Sequence, residues 1–178
     1  MNQVANPRKP LRLNVGFIIN SSIGTNRDFD IYFPKYQDDD LVIAEAGGVV
    51  NVGRTPQGLI VQGNFSGKVT LECVRCLTDY EHLIRWEFAE LYAFTQDNVT
   101  DSGLLVPDDA QIDLQLLFRE YALLEFPIKP LCREDCEGLC AECGQNLNQG
   151  DCGHSPEVDT PFLALKGLLE NQHNDELD

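Results

Sequence analysis

The chain has 178 residues, 43% of them hydrophobic, with 29 acidic against 13 basic side chains and a formal net charge of −16. That length suits one domain of ordinary size with a core, and no apolar run reaches the roughly 18 residues of a membrane span. The charge argues against a nucleic-acid binder of the usual kind, which draws its affinity from a basic patch that displaces counterions from phosphates. Here the densest basic cluster is Arg8, Lys9 and Arg12. The sign points instead to a basic partner.

The first twenty residues read as a tail followed by a strand, from the alternation Leu11, Leu13, Val15, Phe17 and Ile19. No small-residue cleavage site follows that patch, so no export signal is read; the expected setting is cytoplasmic, with thiols reduced or metal-bound. Residues 21–40 are polar and loop-like, and Asp38, Asp39 and Asp40 are expected on a solvated surface. A second β-rich stretch covers residues 41–54 and closes at the turn-forming Thr55, Pro56, Gln57 and Gly58.

The clearest strand comes next. From Leu59 the odd positions run Leu59, Val61, Gly63, Phe65, Gly67, Val69, Leu71 and Cys73, while the even positions are mostly polar. Strict alternation marks a strand with one buried face. Gly63 and Gly67 on that face predict bulges or bends in a curved sheet. After Cys73, Val74, Arg75 and Cys76 the alternation resumes with Tyr80, Ile84, Trp86, Phe88, Tyr92 and Phe94. The pattern predicts a long β-hairpin with a C-x-x-C at its tip.

Residues 95–110 are acidic and irregular, and are read as a mobile surface loop. From Asp97 to Asp113 there are five aspartates and no base. Asp113 is the expected N-cap of a helix over residues 114–125, with Leu114, Leu117, Phe118, Tyr121 and Leu124 facing the sheet. Pro127 and Pro130 end it. Near the carboxyl terminus, Thr160 and Pro161 predict the start of a short helix over 162–170, and the last eight residues read as a disordered acidic tail. Together these elements predict an α+β fold: a curved antiparallel sheet or partial barrel, one packed helix, a cysteine-rich segment and a short C-terminal helix.

Seven cysteines and one histidine fall into ligand-type spacings. Cys73 and Cys76 form the first pair; Cys132, Cys136, Cys140, Cys143, Cys152 and His154 follow within one short segment. An odd number of thiols cannot be paired completely as disulfides, whereas eight donors match two closed tetrahedral zinc sites. The spacing groups Cys140 and Cys143 with Cys152 and His154, leaving Cys132 and Cys136 to join Cys73 and Cys76. Other readings stand beside this one. Cys73 and Cys76 also fit as buried small apolar residues or as a redox pair, and four cysteines also suit an iron–sulfur cluster. His154 also fits as an exposed residue, with Cys132 or Cys136 completing its site. Closed zinc sites are structural, and no catalytic constellation accompanies them. His82 alternates with its strand neighbours as a part-buried sheet residue, and His173 falls in the tail.

Four stretches in this order carry a family resemblance: GLIVQGNFSGKVTLECVRCLTDY from Gly58, DLQLLFREYALLEFPIKPLC from Asp113, DCEGLCAECGQNLN from Asp135, and DTPFLALKGLL from Asp159. Together they resemble the YceD family, the large ribosomal RNA subunit accumulation proteins of bacteria and plastids, over about residues 41 to 170. Many such sequences close the cysteine segment with C-x-C, where this chain has Cys152, Gly153 and His154. The resemblance implies a single YceD-like domain over residues 1–170, containing the zinc segment 132–154, with the tail at 171–178. It implies no enzymatic activity and a part in ribosome biogenesis, seen as accumulation of 23S rRNA. The family's genes commonly neighbour that of the small basic ribosomal protein bL32. With the acidic charge, this makes bL32 or a large-subunit assembly intermediate the expected partner. Direct zinc-knuckle binding to rRNA is the alternative, and a thiol oxidoreductase is a third, remote reading.

Overall fold

The computed structural model describes residues 11–154, which fall into two compact units, one of residues 11–74 and 78–132 and the other of residues 75–77 and 133–154. The expected helix at 162–170 and the tail at 171–178 lie outside the described residues.

The first unit is built on an open, curved antiparallel sheet of four strands in sequential order. β2 (Asn26–Asp38), β3 (Leu41–Arg54), β4 (Gly58–Glu72) and β5 (Asp79–Ala93) pair as a meander. A second, two-stranded sheet joins β1 (Arg12–Asn14) to β6 (Gln111–Asp113). A single turn, α1 (Gly16–Ile19), follows β1, and α2 (Gln115–Leu124) follows β6. The antiparallel, mostly β architecture with few helices is the one that the alternation predicts.

Alternation fixes which face of each strand is buried. Leu59, Val61, Phe65 and Val69 of β4 and Ile84, Trp86, Phe88 and Tyr92 of β5 all point into the core. Phe118 of α2 covers this surface. Its ring meets Phe65 and Trp86 edge-on, each with centroids 5.0 Å apart, and lies 4.7 Å from Tyr36. Edge-to-face pairing sets the positive rim of one ring against the negative face of the next, so the cluster gains beyond its buried area. One polar side chain beside the cluster, Glu90, accepts a hydrogen bond from the Tyr121 hydroxyl at 2.8 Å.

Several expectations need correction. Residues 21–40 are not a loop: β2 occupies 13 of them, burying Phe29, Ile31, Phe33 and Tyr36. The aspartates crowding the segment hide this strand's alternation, and Pro34 breaks it. Asp39 and Asp40 are exposed as expected, and Asp38 is half-buried. Arg119 donates to the Asp38 carbonyl at 2.7 Å and to the Asp40 carboxylate at 2.5 Å, and the guanidinium holds the Asp40 carboxyl below its ordinary pKa.

The first expected strand stops after three residues, because Val15 accepts the amides of Ile18 and Ile19 and the chain turns helical. The bulge sits on β3, between Ala44 and Gly47, while the β4–β5 register runs unbroken from Gly58↔Ala93 to Glu72↔Asp79. Gly63 has another purpose: a Cβ there would come within 2.5 Å of the Phe88 ring.

The acidic stretch after β5 is anchored rather than free. Leu104 and Val106 pack on the core, Leu105 bridges Ala93, and Asp109 pairs with Arg12 at 2.6 Å. The α2 face also differs at its end. Leu124 is 76% exposed and Ala122 is buried in its place, since the helix ends there and the last leucine rotates outward. Asp113 does cap, accepting the Gln115 amide at 3.0 Å, although Leu114 holds the N-cap position. Truncation of Phe118 to alanine is expected to cost about 3–5 kcal/mol, because four aromatic rings surround a site that cannot collapse. Urea unfolding checks it, and a loss below about 1 kcal/mol would show that the cluster repacks.

Candidate metal centre

The hairpin joining β4 to β5 carries the first C-x-x-C. The Cys73 amide donates to the Thr78 carbonyl at 3.0 Å, closing the turn, and Leu77 takes a positive φ of 55° inside it. Cys73 and Cys76 are both buried, the first completely. In the first unit, Val74 donates to the Pro130 carbonyl at 2.9 Å, fixing the chain that leads to Cys132.

The second unit consists mainly of tight turns. Leu139 bridges Asn146, the Cys140 amide donates to Gln145 at 2.8 Å, and the Gly144 amide returns to the Cys140 carbonyl at 2.9 Å. Gly144 has φ of +72°, which a side chain rarely tolerates, so the glycine after the second cysteine lets this knuckle close. The hairpin-tip residues 75–77 belong to the same unit: Leu139 donates to the Arg75 carbonyl at 3.1 Å, and Arg75 donates to the Cys136 carbonyl at 2.7 Å.

Among the described residues two groups of side chains could hold a metal ion: Cys73, Cys76, Cys132 and Cys136, and Cys140, Cys143, Cys152 and His154. Cys140, Cys143, Cys152 and His154 belong to one unit, and their ligand atoms all lie within 4.8 Å of one another. None of the seven cysteines is in a disulfide. The donor chemistry fits zinc. Bond lengths of about 2.3 Å to sulfur and about 2.0 Å to nitrogen place tetrahedral donors roughly 3.6–3.8 Å apart. The Cys140 sulfur lies 3.9 Å from His154 Nδ1.

The two groups differ in exposure. The first is largely buried, whereas Cys143 and His154 of the second face solvent. Backbone amides of Cys143 and Glu142 donate to the Cys140 sulfur, and with a hydrogen bond from Cys152 they pull its pKa down to about 7. Cys152 moves the other way. The His154 amide favours its thiolate, but the hydrogen bond with Cys140 and burial outweigh that, and its pKa rises. Amides aimed at sulfur are what thiolate ligands require.

Asn148 escaped the sequence reading. Its Nδ2 donates to the Cys136 sulfur at 3.4 Å, while its Oδ1 accepts from the Glu137 amide at 2.9 Å and from Arg133 at 2.7 Å. Asn146 orients it, accepting the Asn148 amide at 3.0 Å. A lone asparagine in a turn carries no spacing signal, so only coordinates could assign it. His82, by contrast, is a half-buried strand residue against Tyr80, as its alternation predicts.

The family model described as "Large ribosomal RNA subunit accumulation protein YceD" matches residues 61–169. An uncharacterized protein of Mycobacterium leprae is 32% identical over 133 residues, 70% of this chain and 61% of that protein. One from Mycobacterium tuberculosis (strain H37Rv) is 31% identical over 142 residues, 73% of this chain and 67% of that protein. A chloroplast protein of Zea mays, named as a large ribosomal RNA subunit accumulation protein YCED homolog, is 34% identical over 77 residues, 42% of this chain and 26% of its own length. The matched stretch thus spans about three fifths to two thirds of the mycobacterial relatives. No solved structure matches the chain.

The match over residues 61–169, more than half of the chain, establishes that this protein belongs to the YceD family.

Proposed function

We propose that the chain is a non-enzymatic ribosome biogenesis factor. In this reading it supports 23S rRNA accumulation and large-subunit assembly through contacts with a basic ribosomal protein, and it is stapled by two structural zinc ions. Membership of a family named for large ribosomal RNA subunit accumulation carries this reading. The donor sets support the zinc. Thiolate and imidazole are soft-to-borderline ligands that select zinc over hard cations, and four protein donors per site leave no open position for a substrate. Cys73, Cys76, Cys132 and Cys136 would hold one ion; Cys140, Cys143, Cys152 and His154 would hold the other. The ions would supply folding free energy to a segment whose described residues contain only turns, bridges and one three-residue 3-10 helix, Leu147–Gln149.

Charge supports the partner. Two zinc sites with formal charges of −2 and −1 would take the total from −16 to about −19. Such a surface repels phosphates across roughly a Debye length, about 8 Å at physiological salt, and attracts lysine- and arginine-rich proteins. A protein of this kind is suited to escorting bL32, or to docking on a basic face of an assembly intermediate, in the cytoplasm. No helix among the described residues is long and apolar enough to cross a membrane.

Protein purified under reducing conditions without chelator is expected to hold close to two zinc equivalents. Elemental analysis decides this, and less than one equivalent would sink the two-ion reading. Cys73→Ser is expected to raise alkylation of Cys76, Cys132 and Cys136 while Cys140, Cys143 and Cys152 stay protected; equal loss at every cysteine would contradict the partition. In salt-dependent titrations bL32 should bind more tightly than any 23S rRNA fragment. The reverse order would favour direct RNA binding.

A further inference from the structure

The meander buries one face of its sheet, and among the described residues the other is left uncovered. On the uncovered face, register aligns two complete rows across all four strands: Asp30, Val49, Asn64 and Glu87, then Asp28, Asn51, Gln62 and Ala89. Val49 and both middle residues of β4 are exposed. Val49, Asn51, Gln62, Asn64 and Glu87 line part of a depression of about 580 Å³, which also reaches Phe88 and Tyr121 on the helix-covered side. Beside the rows, Tyr32 is 66% exposed, its ring lying against Gly47, where a Cβ would stand 3.1 Å away. Leu83 and Ile60 add further exposed apolar surface on the same side.

An antiparallel sheet commonly turns a polar face to water, so the exposed aromatic and aliphatic side chains here call for an explanation. We propose that this outer face, centred on Val49, Gln62 and Asn64, is the docking surface for a lysine- and arginine-rich segment of the basic partner. The inference rests on the reading given under Proposed function and adds the place of contact.

Charge complementarity selects this occupant. The two rows hold three carboxylates, Asp28, Asp30 and Glu87, and no base. The nearest base is Arg85, exposed in the adjoining row with Tyr32, Gly47 and Ser66; Lys68, one row further, is paired with Glu45 at 2.8 Å. The carboxylates lie towards the ends of the rows, with amide and aliphatic side chains between them. Long cationic side chains bury their stems on apolar surface while keeping their charges beside acids, so such a strip suits lysine and arginine. The side-chain amides can accept and donate hydrogen bonds to a bound backbone. A phosphate chain would meet three carboxylates in these rows against the single arginine, Arg85, of the adjoining row.

The test substitutes Gln62→Lys and Asn64→Lys together in the full chain. Both positions are exposed on the central strand, so the fold and zinc content should be unchanged, which thermal melting and elemental analysis verify. Titration with bL32 at about 150 mM salt should show at least tenfold weaker binding than the wild type. Removing charge without adding bulk, with Asp28→Asn and Glu87→Gln, should weaken binding by about threefold and flatten its salt dependence. Undiminished affinity in both variants, with the wild type binding, overturns the docking surface and leaves the proposed function standing. Failure of the wild type to bind bL32 overturns both. Protection of this face from amide exchange by a 23S rRNA fragment, and not by bL32, would assign it to RNA and overturn the proposal.

Discussion

The first unit depends on how one face of a four-stranded meander is closed. Such a sheet presents a continuous apolar surface that must be covered, and here a helix of ten residues does so chiefly with Phe118. Its ring sits edge-on to rings from β4 and β5 and close to Tyr36 of β2, so one side chain joins the first, third and fourth strands. Gly63 makes the arrangement possible, since the Phe88 ring occupies the space its side chain would take. The ion pair from Arg119 to Asp40 ties the same helix to the β2–β3 turn. A solvent-exposed pair adds little energy, but it fixes how the helix is rotated.

The second unit has a different physical basis. Its described residues hold no α-helix or extended strand, and its backbone bonds are those of tight turns. A segment like this cannot bury enough apolar surface to offset its ordering entropy, which is where metal-ligating spacings are expected to take over. The turn geometry already provides amides aimed at the Cys140 sulfur and an asparagine donating to Cys136. Hydrogen-bonding donors at sulfur and close-set ligand atoms are properties of the polypeptide itself, and they make the donor sets coherent.

Much of this was legible in the sequence, for identifiable reasons. β4 and β5 alternate without interruption, and the eight ligand residues have spacings that few other roles require, so the hairpin, its tip and both ligand groups could be read directly. β2 could not. Its inward residues Phe29, Ile31, Phe33 and Tyr36 slip by one across Pro34, and the aspartates around them imitate a loop. The bulge lies on β3 and not on β4, because Glu45 takes the positive φ of 52°, and a glutamate within a strand carries no signal for that conformation. Asn148 left no trace in composition or periodicity. Pattern reveals repeated geometry, whereas a single side chain reaching a sulfur needs coordinates.

Fold, ligand groups and charge lead to one account: an acidic scaffold with two groups of side chains that could hold metal ions and no catalytic constellation read in its sequence, belonging to a family named for large-subunit RNA accumulation. Its central claim concerns the ribosome, and the most direct measurement is the ratio of 23S to 16S rRNA in cells depleted of this protein. The account predicts that the ratio falls and that the wild-type chain restores it, whereas a chain with Cys140 and Cys143 replaced by serine does not. A ratio unchanged by depletion would contradict it.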